Sequence, residues 1–202
     1  MTLLYYDPIF LEHKTAGHPE NPGRLMAVMG QLQLMGLDCQ CDQPLWTPIS
    51  AARLARVHPP AYTEAIRTYC QQGGGLIEHD TLTSRRSYEA ALMAAGAVCD
   101  AVERVLRGDD SRALCLVRPP GHHAASDQVM GFCLLNNVAL GARLATGELQ
   151  LDRVLIVDWD VHHGNGTQAI FWQDPQVGYF SIHRWPFYPG TGAADETGSG
   201  PG

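Results

Sequence analysis

Lysine is nearly missing from this chain: Lys14 stands alone among 202 residues, beside thirteen arginines that form no continuous basic stripe. The electrostatic footprint of a nucleic-acid binder is therefore absent, and no nucleic-acid partner is expected. Long hydrophobic runs are missing too. The longest uncharged apolar stretch, residues 90–99, is about half of a membrane-spanning helix. The opening MTLLYYDPIF lacks the basic start and apolar core of a secretory leader, so no membrane partner is expected. The six cysteines (39, 41, 70, 99, 115 and 133) include no CxxC pair, which removes the usual zinc and thioredoxin-type spacings. Four of them lie in apolar runs, where a free thiol acts as a small hydrophobe; a reducing, cytoplasmic setting is the expectation. Neither a Gly-x-Ser-x-Gly elbow nor a Walker loop occurs, and Gly164-x-Gly166 lacks the third glycine of a dinucleotide fingerprint.

What is present is the balance of a folded domain, 45% hydrophobic and 17% charged, on a chain long enough to bury a core. The net charge of −7 is ordinary for a solubilising surface and would also favour cationic substrates. Short strands are predicted at 3–6, 113–117, 154–157 and 177–182. Helical patterns cover 23–35, 60–71, 136–145 and 167–172, and a long amphipathic helix covers 84–106 with Gly108 as its C′ glycine. Gly73-Gly74-Gly75 breaks the pattern after 71, and the Gly/Thr/Glu-rich tail from 190 reads as loop. Strands alternating with helices argue for an α/β fold, a parallel β-sheet with helices on both faces. Function in such sheets gathers where the carboxyl ends of the strands open into loops.

Two strand-exit loops hold the chemistry. The first, Arg118-Pro119-Pro120-Gly121-His122-His123-Ala124, places two imidazoles side by side on stiff backbone, where separate partners can give them different pKa values and divide proton transfer between them. The second runs from Val157 to Gly166, VDWDVHHGNG. Asp158, Asp160 and His162 alternate, so extended backbone would project them to one side. A carboxylate and an imidazole two apart can share a divalent ion, with Asp158 accepting a hydrogen bond behind them or holding another cation. A structural Asp–His cluster without metal would use the same residues.

RPPGHHA (118–124), GFCLLNN (131–137), VDWDVHHGNGTQ (157–168) and SIHRWPFYPGTG (181–192), with HPENPGR (18–24) near the start, together resemble the histone deacetylase superfamily, in particular its class II and bacterial amidohydrolase members. The resemblance implies the arginase/deacetylase fold and zinc-dependent hydrolysis of an acetamide, on acetyl-lysine side chains or small acetylated amines. By matched position, Asp160 and His162 take the places of two zinc ligands. His122 and His123 match the catalytic tandem, Asp158 the acceptor that holds His122, and Asn165 the partner of His123. Gly131, Phe132 and Tyr188 match the walls of an acetyl-lysine tunnel. Asp158, Ser181 and Ile182, with backbone oxygens of Asp160 and His162, match a structural potassium site, and Phe171 and Val177 match parts of a second.

The family's third zinc ligand is an Asp from a later strand, and its carbonyl-polarising Tyr follows a later glycine pair. Neither position is filled here, and Asp195 and Tyr188 come too early in the family's order to be those groups. The expectation is that residues 1–202 form the N-terminal part of one deacetylase domain, weakly active or inactive alone and carrying an exposed strand edge. Two other expectations remain open: a non-catalytic homologue that keeps a binding surface, and a binuclear manganese ureohydrolase on the same fold, for which Asn165 would be a poor bridging ligand.

Overall fold

The computed structural model describes residues 2–202. Its elements in chain order are β1 (Thr2–Tyr5), α1 (Pro22–Leu34), β2 (Cys41–Asp42), α2 (Ala51–Leu54), α3 (Pro60–Gln71), β3 (Gly74–Glu78), β4 (Thr81–Ser84), α4 (Ser87–Arg107), β5 (Ala113–Cys115), α5 (Asn137–Gly147), β6 (Val154–Asp158), α6 (Asn165–Phe171) and β7 (Val177–Ser181). Parallel strands are ordered β2-β1-β5 in one group and β6-β7 in another, and β3-β4 is a separate antiparallel hairpin.

The helical starts follow local chemistry. Asn21 caps α1 by accepting the Gly23 N–H, with Pro22 at the first helical position, where its missing N–H costs nothing. Asn136 likewise accepts the Ala139 N–H to open α5. Gly108 ends α4 at φ 89°, the left-handed geometry that favours glycine.

The expected 84–106 helix exists as α4 but is more buried than a simple amphipathic pattern implies. Ala91, Ala95 and Cys99 join the largest core cluster with α3 and α5. Ala97 and Ala101 pack on Leu3 and Tyr5 of β1, and Ala94 packs on Phe10 and Leu25. A helix that meets apolar neighbours on three sides needs small side chains on all of them. The glycine run at 73–75 does end α3 as expected. It then leads into the β3–β4 hairpin, which the sequence pattern missed: Gly74 sits at φ 75°, and a Cβ there would strike the Thr83 backbone. The short β2 and α2 also went unpredicted, each having too few residues to show a period.

One buried ion pair ties the N-terminal segment to the first functional loop. Arg118, 3% exposed, forks onto both carboxylate oxygens of Glu20 and donates to the Phe10 and His13 carbonyls at 2.7 and 3.0 Å. The His13 ring closes on the same carboxylate at 3.4 Å. Burial alone would raise the Glu20 carboxyl, but the hydrogen bonds from Arg118 and His13 outweigh it and hold the pKa at about 2.

Glu20→Ala would strand the guanidinium without its partner, so urea unfolding should show a loss of about 3–5 kcal/mol. Because the folded pKa lies below the unfolded one, the contribution is complete above about pH 4.5 and fades as pH falls toward 2. Glu20→Gln should flatten that part of the stability–pH curve.

Candidate active site

The loop after β5 carries the tandem imidazoles and the loop after β6 carries the carboxylates. Their meeting is the centre of the site. The His122 Nδ1–H donates to Asp158 Oδ2 at 2.9 Å, and Tyr179 donates its hydroxyl to the same oxygen at 2.9 Å. That hydroxyl in turn accepts the Gly164 N–H at 3.1 Å. Burial pushes the Asp158 carboxyl up, but the bond to His122 and its charge, then Tyr179, outweigh burial and hold it below the ordinary range. Gly164 is required here because a Cβ would run into Asp158, Tyr179 and His122 together.

His123 has a different partner. Its Nδ1–H donates to Asn165 Oδ1 at 2.8 Å, an uncharged amide. The ring is 4% exposed, and burial first, then the neighbouring His122, push its pKa down to about 4. The two rings lie with centroids 4.0 Å apart. His122 is backed by a carboxylate and His123 by an uncharged amide. Gly131 lets the chain run against the His123 ring, where any Cβ would clash, at φ 55°. Phe132 follows at φ 71° with its N–H bonded to Thr81 Oγ1 at 3.1 Å. A non-glycine residue held in that region is stored strain, and such strain clusters at functional sites.

Asp160 and His162 converge. Asp160 Oδ1 lies 3.2 Å from His162 Nδ1 and accepts the His162 N–H at 2.8 Å. Asp160's own N–H is bonded to Asp158 Oδ1 at 3.2 Å. The alternation expected of an extended strand therefore stops at Asp158, where β6 ends. Two successive aspartate-capped turns, not a pleat, carry the chain onward. A carboxylate oxygen and an imidazole nitrogen so placed suit one borderline cation such as zinc. Among the described residues no group of three or more such side chains converges on one point.

Tyr188 joins the site edge-on, its ring 5.2 Å from His123 and 5.8 Å from His162. Phe187 stacks on His162 at 5.5 Å and carries the Arg184 guanidinium on its face. The Phe132 ring packs against His18 of the HPENPGR segment at 4.5 Å. Asp158 and Ser181 are register partners across β6 and β7, and the Ile182 N–H bonds the Asp158 carbonyl at 2.9 Å. The Ser181 hydroxyl pairs with His183 Nδ1 at 2.8 Å. Phe171 and Val177 lie in the apolar core, away from the imidazole pair.

Tyr179, Phe187 and His18 were not anticipated. Tyr179 lies two residues before the SIHRWPF motif, and only the β6–β7 register, which pairs it with Ile156, puts it on the same face as Asp158. His163, the second imidazole of VHHG, turns inward instead of joining the site. It is held between Gln168 and Thr191, each at 2.8 Å.

A model of the histone deacetylase domain matches residues 18–202. The chain belongs to the histone deacetylase family. An uncharacterised Synechocystis protein is 41% identical over 98% of this chain and 66% of its own length. A probable deacetylase of Methanothermobacter thermautotrophicus is 39% identical over 98% of this chain and 59% of its own. The crystal structure of the HDA15 HD domain superposes with a TM-score of 0.95 at 41% identity, over all of this chain and 61% of that one. The chain thus spans about three fifths to two thirds of the length of these three relatives. The α/β deacetylase fold expected from the motifs is the one observed.

In the metal-free chain the His123 ring should stay neutral until about pH 4, and NMR titration of the histidine Cε1 protons should find its midpoint there. Its folded pKa lies below the unfolded 6.5 or so, so the buried neutral ring favours the folded state above that pH, and this contribution is lost as pH falls toward 4. Gly164→Ala should cost about 1–3 kcal/mol by overpacking, measurable as a lowered Tm together with a moved His122 Nδ1–H resonance.

Proposed function

We propose that this deacetylase-family chain contributes the proton-transfer half of a zinc-dependent amidohydrolase site that removes acetyl groups from N-acetylated amines. The supporting observation is the unequal imidazole pair, with His122 on the Asp158 carboxylate and His123 on the Asn165 amide, beside the converging Asp160 and His162.

Asp160 and His162 would hold the zinc, which when bound polarises the amide carbonyl and makes water more acidic. The residues of the chain do the remaining work. With its Nδ1 proton committed to Asn165 and its pKa held at about 4, neutral His123 offers a free Nε2. That nitrogen takes a proton from the water attacking the acetyl carbon and returns it to the departing amine nitrogen as the C–N bond breaks, leaving acetate and a free amine. His122, held in place by its hydrogen bond to Asp158, stabilises the negative charge that develops on the former carbonyl oxygen. Tyr188, with Gly131 and Phe132, lines the approach and shields the methylene stem of the substrate from water. Asp158 and Ser181, with Ile182 and the backbone oxygens of Asp160 and His162, would hold a potassium ion that fixes the β6 exit.

The substrate is an acetyl-lysine side chain or a small acetylated amine, and a protein substrate is the preferred reading. A reducing, cytoplasmic setting belongs to the same proposal, since all six cysteines are free thiols.

The test is to assay the complete gene product with zinc on an acetyl-lysine peptide and on an acetylated polyamine. Zinc-dependent turnover of at least one is expected, and turnover of neither sinks the proposal. His123→Ala should lower the rate by roughly 10²–10⁴-fold with zinc retained. Asp160→Ala should lose zinc as well, and equal zinc content in that variant would contradict its assignment as a ligand.

A further inference from the structure

The motif GFCLLNN ends on two asparagines that the proton-transfer chemistry does not use, and both are buried. They stand at the start of α5, and their side-chain amides close on the loop that presents the imidazoles. Asn137 donates from Nδ2 to the Pro119 carbonyl at 3.1 Å. Asn136 donates from Nδ2 to the Ala124 carbonyl at 3.0 Å and to the Thr167 hydroxyl at 3.1 Å. That hydroxyl donates in turn to the His122 carbonyl at 3.4 Å, which also accepts the Thr167 N–H at 3.1 Å. One amide thus reaches the carbonyls on both sides of His123, directly at Ala124 and through Thr167 at His122.

Asn136 is itself held. Its Oδ1 accepts the Ala139 N–H at 3.1 Å, and its backbone N–H donates to His58 Nε2 at 2.9 Å. A neutral imidazole that accepts at Nε2 carries its proton on Nδ1, and the His58 Nδ1–H donates to the Ser126 carbonyl at 2.8 Å. Burial holds the His58 pKa below its ordinary value, which keeps the ring neutral and able to accept. Tyr62 stacks on this ring at 5.3 Å and donates its hydroxyl to the Leu134 carbonyl at 2.7 Å. His58, Ala124, Asn136 and Thr167 are each 0% exposed, so removing one partner leaves the other buried and unsatisfied. Close approach is secured by glycine: a Cβ on Gly166 would strike the Ala124 and His123 backbone, and one on Gly121 the backbone at Leu135 and Asn137.

We propose that Asn136, with Thr167 as its link to His122, is a positioning residue for the imidazole pair: it fixes the backbone on both sides of His123 and so aims the His123 Nε2 at the water it deprotonates. His58 keeps Asn136 in place. The proposal rests on the proton-transfer role given to His123 above. A reacting group misplaced by about 1 Å costs on the order of 10²-fold in rate. A clamp that acts only on the backbone behind the imidazoles is therefore felt in kcat and not in substrate binding.

The test uses the complete gene product. Thr167→Val keeps the shape and removes the hydroxyl, whereas Thr167→Ser keeps the hydroxyl. With zinc and an acetyl-lysine peptide, kcat of Thr167→Val should fall about tenfold to a hundredfold, with KM within about twofold and zinc content unchanged. Thr167→Ser should recover most of that loss. Asn136→Asp, which keeps the oxygen that caps α5 but has no N–H for Ala124, should show the same division between kcat and KM. Ile66→Ala, a core change in α3, is the control for plain destabilisation and should lower Tm with kcat unchanged. A second readout needs no turnover: in zinc-free protein, solvent exchange of the His123 Nδ1–H should quicken about tenfold in Thr167→Val and stay unchanged in Thr167→Ser and Ile66→Ala. Unchanged exchange and kcat in Thr167→Val would overturn the proposal, and so would an equal loss of kcat in Ile66→Ala. Absence of turnover in the unsubstituted protein is instead a failure of the deacetylase reading, and the exchange readout then decides the clamp alone.

Discussion

The carboxylate of Asp158 is the point on which the site depends. One of its oxygens accepts from His122 and from Tyr179, the other accepts the Asp160 N–H, and its backbone carbonyl accepts from Ile182. Four separate segments (the β5 exit loop, the β6 exit loop, β7 and the turn after β7) therefore meet on one residue at the last position of a strand. Each bond is of ordinary strength in isolation, but together they leave the side chain a single orientation. That orientation in turn fixes which nitrogen of His122 carries a proton.

A second constraint acts from behind. Arg118 begins the stiff Pro-Pro-Gly corner that presents the imidazoles, and its guanidinium is locked onto Glu20 and onto carbonyls of the N-terminal segment. A buried guanidinium tolerates little movement, because every displacement leaves a donor unsatisfied. The HPENPGR segment thus reaches the site by two routes: Glu20 through Arg118, and His18 through the Phe132 ring.

Much of this was legible in the order of residues. The tandem histidines, their carboxylate and amide partners, and the Asp160–His162 pair all lie within two short motifs on strand exits, and the α/β alternation placed those exits at one end of a sheet. Long helices such as α3 and α4 declared themselves by period. Three things did not. The hairpin β3–β4 hides behind glycines that look only like a break. Tyr179 requires the β6–β7 register, a non-local property that no spacing encodes. The geometry beyond Asp158 depends on side-chain-to-backbone bonds, which compete with strand extension wherever aspartates alternate. VHHG illustrates the limit most clearly: two adjacent, chemically identical imidazoles go to opposite fates, His162 toward the opening and His163 into a buried bond with Gln168 and Thr191.

The bond between His122 and Asp158 also has a mechanical meaning. Its donor rides on β5 and its acceptor on β6, and these strands share no backbone bonds; they are coupled mainly through the packing of α4 on α5. The two strand groups are thus joined at the helix pair and, at the loop end, by the bond between an imidazole and a carboxylate. At the crossing of α4 and α5, Gly141 lets the Val98 side chain come close, and a Cβ there would press against it. Small side chains at a helix crossing far from the chemistry are thereby among the conditions for the meeting of an imidazole and a carboxylate.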